Sequence, residues 1–120
     1  MIDAKNVNHI GIAVNSIEAH RPFYEDVLGA SFESVEEVAD QGVKVGFFKV
    51  GDVRLELLEP MGEDSTVAKF IEKKGEGMHH VAYTVDDLAK RLQTLKDQGV
   101  RLIDETPRRG AHDMQVAFIH

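Results

Sequence analysis

Three residues far apart in the chain, His9, Glu56 and His80, are of types that could share one metal ion. Two imidazole nitrogens and a carboxylate oxygen suit Mn, Fe, Co, Ni or Zn, with positions left open for water or substrate. A lone strand histidine is far more often a hydrogen-bonded bystander than a ligand. These two stand out by recurrence. HIGIAVNSIEAHRPFYEDVLG from His9 lies against HVAYTVDDLAKRLQTLKDQG from His80. Val14 matches Val85, Asn15 matches Asp86, Ile17 matches Leu88, and Gly29 meets Gly99 with one residue of slippage. Strand alternation puts Gly11 and Ala13 on the face of His9, and Ala82 and Thr84 on that of His80. Small neighbours leave room for a ligand on a concave sheet. Glu56 faces opposite to Leu55 and Leu57, together with Arg54 and Leu58. If the repeats pack with approximate two-fold symmetry, the two imidazoles face each other.

Other polar residues have plainer readings. Alternation selects His80 over His79, since neighbours on a strand point oppositely. His20, on the first helix, and His112, in a loop, read as solvated. Glu59, before Pro60, reads as a solvated strand-end charge, and Glu36, Glu37 and Asp40 as an exposed stretch. Lys73-Lys74 and Arg108-Arg109 are helix-end and loop cations.

The elements that must position the trio follow from periodicity. Val7 to Val14 reads as a strand, Asn15 as an N-cap with Glu18 three residues on, and a helix runs to about Leu28 before Gly29. Pro22 inside it should kink the helix or move its start. A strand over Ala30 to Val38 leads to a turn at Asp40-Gln41-Gly42. Val43 to Val50 and Val53 to Leu58 form a hairpin across Gly51-Asp52. A short helix, Ser65 to Lys74, precedes a strand over Met78 to Val85. Asp86 then caps a helix with Leu88, Leu92 and Leu95 on one face, ending at Gly99. Val100 to Ile103 and Met114 to Ile119 read as the last strands. Two βαβββ units are the simplest account, the first over about 5–60 and the second over about 76–120. Glu56 follows His9 by 47 residues; the same interval from His80 reaches position 127, past His120. The second unit is therefore expected to lack its last strand here.

Bulk composition narrows the function classes. A chain of 120 residues, 42% hydrophobic and 29% charged, supports one globular domain spanning 1–120. The absence of cysteine removes disulfides, thiolate metal sites and a cysteine nucleophile. A net charge of −7 argues against nucleic acid or an anionic membrane as partner. With no signal-peptide pattern and no long apolar stretch, the expected location is the cytoplasm.

HIGIAV, FYEDVLGA, QGVKV, VRLELLEP, EDSTVAKFIEKKGEGMHHVAYTVDD and RRGAH…VAFIH together resemble methylmalonyl-CoA epimerases. Those enzymes belong to the vicinal oxygen chelate superfamily, which also holds lactoylglutathione lyase. The resemblance covers essentially the whole chain. It implies an α+β fold in which paired βαβββ modules form a cupped eight-stranded sheet with flanking helices. It further implies a homodimer, an acyl-CoA substrate and one divalent metal per subunit, commonly cobalt or manganese, with nickel or zinc also compatible. By this likeness His9, Glu56 and His80 are metal ligands. A fourth ligand, a glutamate on the last strand, follows a segment like HPK…GVLIEL, which would begin where this sequence ends. That glutamate is also a candidate base in relatives, and some relatives carry another glutamate at the position of Val45. Asp113 replaces a commoner glycine. No catalytic base is therefore assigned. The implied reaction interconverts (2R)- and (2S)-methylmalonyl-CoA by removing and returning the C2 proton. Alternatives are a lactoylglutathione lyase-like or dioxygenase-like enzyme, or a metal-free small-molecule-binding protein of the same fold.

Overall fold

The computed structural model describes residues 1–120. The chain forms two compact units, one of Val7–Ala82 and one of Met1–Asn6 with Tyr83–His120. β1 (Asn6–Ala13) leads through α1 (Ile17–Pro22) and a π-helical turn (Phe23–Val27) to β2 (Ser31–Val38), β3 (Val43–Val50) and β4 (Val53–Pro60). α2 (Thr66–Lys74), β5 (Gly77–Thr84) and α3 (Leu88–Asp97) follow, then β6 (Arg108–Arg109) and β7 (Gln115–Val116). The architecture is α+β, with a mixed five-stranded sheet in the order β2-β3-β4-β1-β5. β2, β3 and β4 form an antiparallel meander, and β1 returns parallel to β4. The first βαβββ unit is thus present as expected.

Alternation explains the packing. The side of the sheet bearing Leu57 and Phe48 receives Val14, Ile17 and Ala30 in one buried cluster, with Ile12, Tyr24, Phe32 and Leu55 against it. α1 is held there partly by Glu59, whose carboxylate accepts from the Ile17 amide at 2.8 Å. An anionic group at a helix N-terminus is favourable, so Glu59 is a helix anchor rather than a solvated charge.

Several local expectations shift. Ser16, not Asn15, caps α1: its backbone is extended and its hydroxyl accepts from the Ala19 amide. Asp87, not Asp86, caps α3, accepting from the Lys90 amide. Both caps move by one position, so their equivalence between the copies survives. Pro22 cannot donate the next helical hydrogen bond. The ladder re-spaces there, and Leu28 donates to the Phe23 carbonyl five residues back.

The expected strands over Val100–Ile103 and Met114–Ile119 reduce to less. Leu102 and Ile119 form one isolated bridge, and β6 and β7 form a separate two-stranded ribbon. The Asp104 carboxylate accepts the Phe118 amide that a continuous ladder would use. His112 and Asp113 adopt positive φ, turning the chain between the short segments. The sheet accordingly has five strands where the resemblance implied eight.

Gly46 marks the tightest helix–sheet approach in this layer. A Cβ there would lie 2.9 Å from Cγ2 of Ile17, which is fully buried. Gly46→Ala should destabilise the protein by about 1–3 kcal/mol in urea unfolding, as overpacking does. In an Ile17→Ala background, which lacks Cγ2, Gly46→Ala should cost less than in the wild type, and strictly additive effects would contradict the contact.

Candidate functional site

β1 lies between β4 and β5, and this adjacency brings the three residues together. In the β1–β4 register His9 pairs with Arg54 and Gly11 with Glu56. His9 Nδ1 is 3.2 Å from Glu56 Oε2 and 2.8 Å from Asn8 Oδ1. His9 Nε2 is 3.0 Å from Nε2 of His80. The rings meet edge to face, with centroids 5.1 Å apart. Gly11 makes room for this: a Cβ there would sit 2.2 Å from Cε1 of His80. The small residues beside the histidines were expected to leave room for a ligand; at Gly11 the space is taken by the His80 ring.

The trio is poorly hydrated. Glu56 is buried at 8% exposure, and the side chains of His9 and Glu56 are 15% and 11% exposed. Burial, with the Arg54 charge adding to it, pushes His9 down to about 4. Burial also pushes His80 to about 4, helped by repulsion from His9 and His79. Burial lifts Glu56 to about 7; Arg54 opposes this and Glu36 adds to it. Each group disfavours its own charged form, so the His9–Glu56 contact is a hydrogen bond between an imidazole and a carboxyl rather than a salt bridge at neutral pH.

No group of three or more His, Cys, Asp or Glu side chains in the structure has the geometry of a formed metal site. The donor nitrogens instead bond to one another. The donor chemistry nonetheless fits a divalent cation: two neutral imidazoles offer lone pairs, and a dry carboxyl near its midpoint gains from adjacent positive charge. A cation would relieve the burial penalty on Glu56.

His79, set aside as a ligand in favour of His80, nonetheless touches it. Its Nδ1 lies 2.9 Å from Nδ1 of His80, although the two are chain neighbours. The HH doublet was the signal available. His20, read as solvated, sits 2.9 Å from the Glu76 carboxylate, which also accepts the Asn15 amide. Arg54 faces the site and pairs with Glu33 at 2.8 Å.

Known proteins share this arrangement of sequence and fold. The pattern of the glyoxalase/bleomycin resistance protein/dioxygenase superfamily matches residues 8–118. An uncharacterized protein of Bacillus subtilis, YqjC, is 52% identical over 94% of this chain and 81% of its own length. The mitochondrial methylmalonyl-CoA epimerase of Bos taurus is 39% identical over 95% of this chain, which spans 66% of that protein. A methylmalonyl-CoA epimerase solved with methylmalonyl-CoA and ammonium superimposes with a TM-score of 0.92 at 35% identity, covering 98% of this chain and 86% of that one.

Two expectations follow from the geometry. Gly11→Ala should displace the His80 ring and break the Nε2 contact, moving the His9 and His80 ring resonances while distant amides stay put. Unchanged ring resonances would contradict the clearance role. The second concerns pH in the metal-free protein. His9 and His80 are held below their usual 6.5, so their contribution is complete above 6.5 and lost as pH falls toward 4. Glu56 is held above its usual 4.5, so its contribution is complete below 4.5 and lost as pH rises through 7. Two histidines outweigh one glutamate, so the urea midpoint should fall between pH 6.5 and 4. His80→Gln should flatten that slope; an equally steep profile would count against the burial of a neutral ring.

Proposed function

This chain belongs to the glyoxalase/bleomycin resistance protein/dioxygenase superfamily, on the branch of the methylmalonyl-CoA epimerases, and from that premise we propose that it interconverts (2R)- and (2S)-methylmalonyl-CoA. The observation that supports this most is the likeness to the methylmalonyl-CoA-bound epimerase, which extends over nearly the whole chain. His9, Glu56 and His80 would hold a divalent cation, with cobalt or manganese the preferred assignments and nickel or zinc compatible. The cation, when bound, supplies electrostatic stabilisation for the negative charge that develops on the thioester as C2 loses its proton. The reading carries with it an acyl-CoA partner, a homodimer and a cytoplasmic location. No helix of the chain is long and apolar enough to cross a membrane.

The residues divide the work by chemistry. Inversion at C2 needs a proton to leave one face and return to the other. His9, Glu56 and His80 hold the ion rather than move that proton. Leu55 and Leu57, packed on the opposite side of β4, fix the direction of Glu56. Asn8 and Glu56 aim the His9 ring through its Nδ1. Val45 and Phe47 lie on the Glu56 side of β3 by register, are buried, and offer no proton. Their burial keeps water from the site and strengthens every charge interaction within it.

The experiment is isotope exchange. The chain, supplied with Co²⁺ or Mn²⁺ in deuterated water, should incorporate deuterium at C2 of methylmalonyl-CoA and erase optical purity. His9→Ala should reduce the rate by 100-fold or more, on the order of an electrostatic contribution to such a transition state. Exchange no faster than in that variant would remove the epimerase reading.

A further inference from the structure

Beside the three-donor cluster, the same face of the sheet carries a basic row. In the two strand registers His9, Arg54 and Lys49 stand opposite one another on β1, β4 and β3. Residues directly opposite share a face, so this row flanks the row of Gly11, Glu56 and Phe47. Arg54 and Lys49 thus put two cationic side chains at the edge of the site, in a chain whose net charge is −7. A local pair of cations on a negative surface draws an anion to that place.

An irregularity in β2 serves Arg54. The pairing of β2 with β3 skips Glu33: Phe32 stands opposite Phe48, and Ser34 opposite Phe47. A bulge of this kind re-aims a side chain. The Glu33 carboxylate accepts from Arg54 Nε at 2.8 Å. That bond uses one of the five donors of the guanidinium and steadies its plane. The Arg54 side chain remains 37% exposed, so the fork is within reach of a ligand. Its charge also acts on both His9 and Glu56, which places it within electrostatic range of the cluster.

We propose that Arg54 is a specificity-determining residue, which selects acyl-CoA thioesters carrying a free carboxylate on C2 over those without one. This rests on the acyl-CoA reading given above. Carboxylate and thioester flank C2, so a site that acts on C2 must meet both groups. A carboxylate left without a partner repels the negative charge that builds on the thioester as the proton leaves. A guanidinium beside it offsets that repulsion. Arginine presents parallel N–H groups that match the two carboxylate oxygens, whereas lysine offers a point charge. Lys49, exposed near the hairpin end of β3, adds attraction without that geometry.

Malonyl-CoA and acetyl-CoA differ by one carboxylate, and calorimetry of both, with the same Mn²⁺ present throughout, reads the selection directly. Wild type should bind malonyl-CoA more tightly. Arg54→Met keeps an aliphatic stem and should shrink that preference by about 10- to 100-fold, the range of a charged hydrogen-bonded contact, while acetyl-CoA affinity stays close to wild type. Arg54→Lys should fall between the two. A wild type that binds both thioesters alike, or neither, would overturn the proposal. So would a preference unchanged within twofold in Arg54→Met, or an equal loss of affinity for both thioesters, which would put Arg54 on the CoA moiety or in the fold. Isotope exchange separates this from the parent reading. Selection lost in Arg54→Met, with no C2 exchange in wild type, keeps the carboxylate role and removes the epimerase. Exchange in wild type with selection intact in Arg54→Met removes only the role of Arg54.

Discussion

The parallel pairing of β1 with β4 is the constraint on which the site depends. Ile12 and Val14 pack into the buried cluster on the helix side, so the alternate residues His9, Gly11 and Ala13 must face the other way. On β4, Leu55 and Leu57 play the same part for Glu56. A slip of one residue would turn every one of these side chains over. The apolar core therefore aims the polar groups. The contacts within the cluster, His9 to Glu56 and to His80, form only because the strands already point these side chains the same way.

The neutrality of the cluster is the second organising fact. Glu56 and the His9 side chain are largely shielded from water, and Arg54 is engaged with Glu33 at the margin of the site. The rings of His9 and His80 meet through their Nε2 atoms at 3.0 Å. The same desolvation that suppresses charge on each donor increases what a dication would gain by entering.

Much of this was legible from residue order because it rests on short-range rules. His9, Glu56 and His80 could be picked out because strand alternation is strict and because a histidine recurs at equivalent places. The first βαβββ unit followed from glycine stops, caps and alternating apolar residues. The misreadings share a cause: their partners are distant in sequence or depend on side-chain bending. Glu59 reaches a helix 42 residues away and His20 reaches Glu76 56 residues away, so neither pairing leaves a local trace. Alternation alone also gives no sign that His79, set aside as a ligand, touches His80, since rings on successive residues can swing round the strand. The strands expected near the C-terminus had suitable composition, yet the Asp104 side chain and two left-handed residues redirect the backbone bonds.

The π-helical turn over Phe23–Val27 reconciles the two copies in length. From histidine to closing glycine the first copy runs one residue longer than the second, His9 to Gly29 against His80 to Gly99. A π-turn winds an additional residue into a helix with little change in its span. The surplus residue is thus coiled away beside Pro22 instead of lengthening the connection. β2 can then begin where the repeat plan requires, so an insertion that would otherwise disturb the geometry downstream stays confined to a single turn.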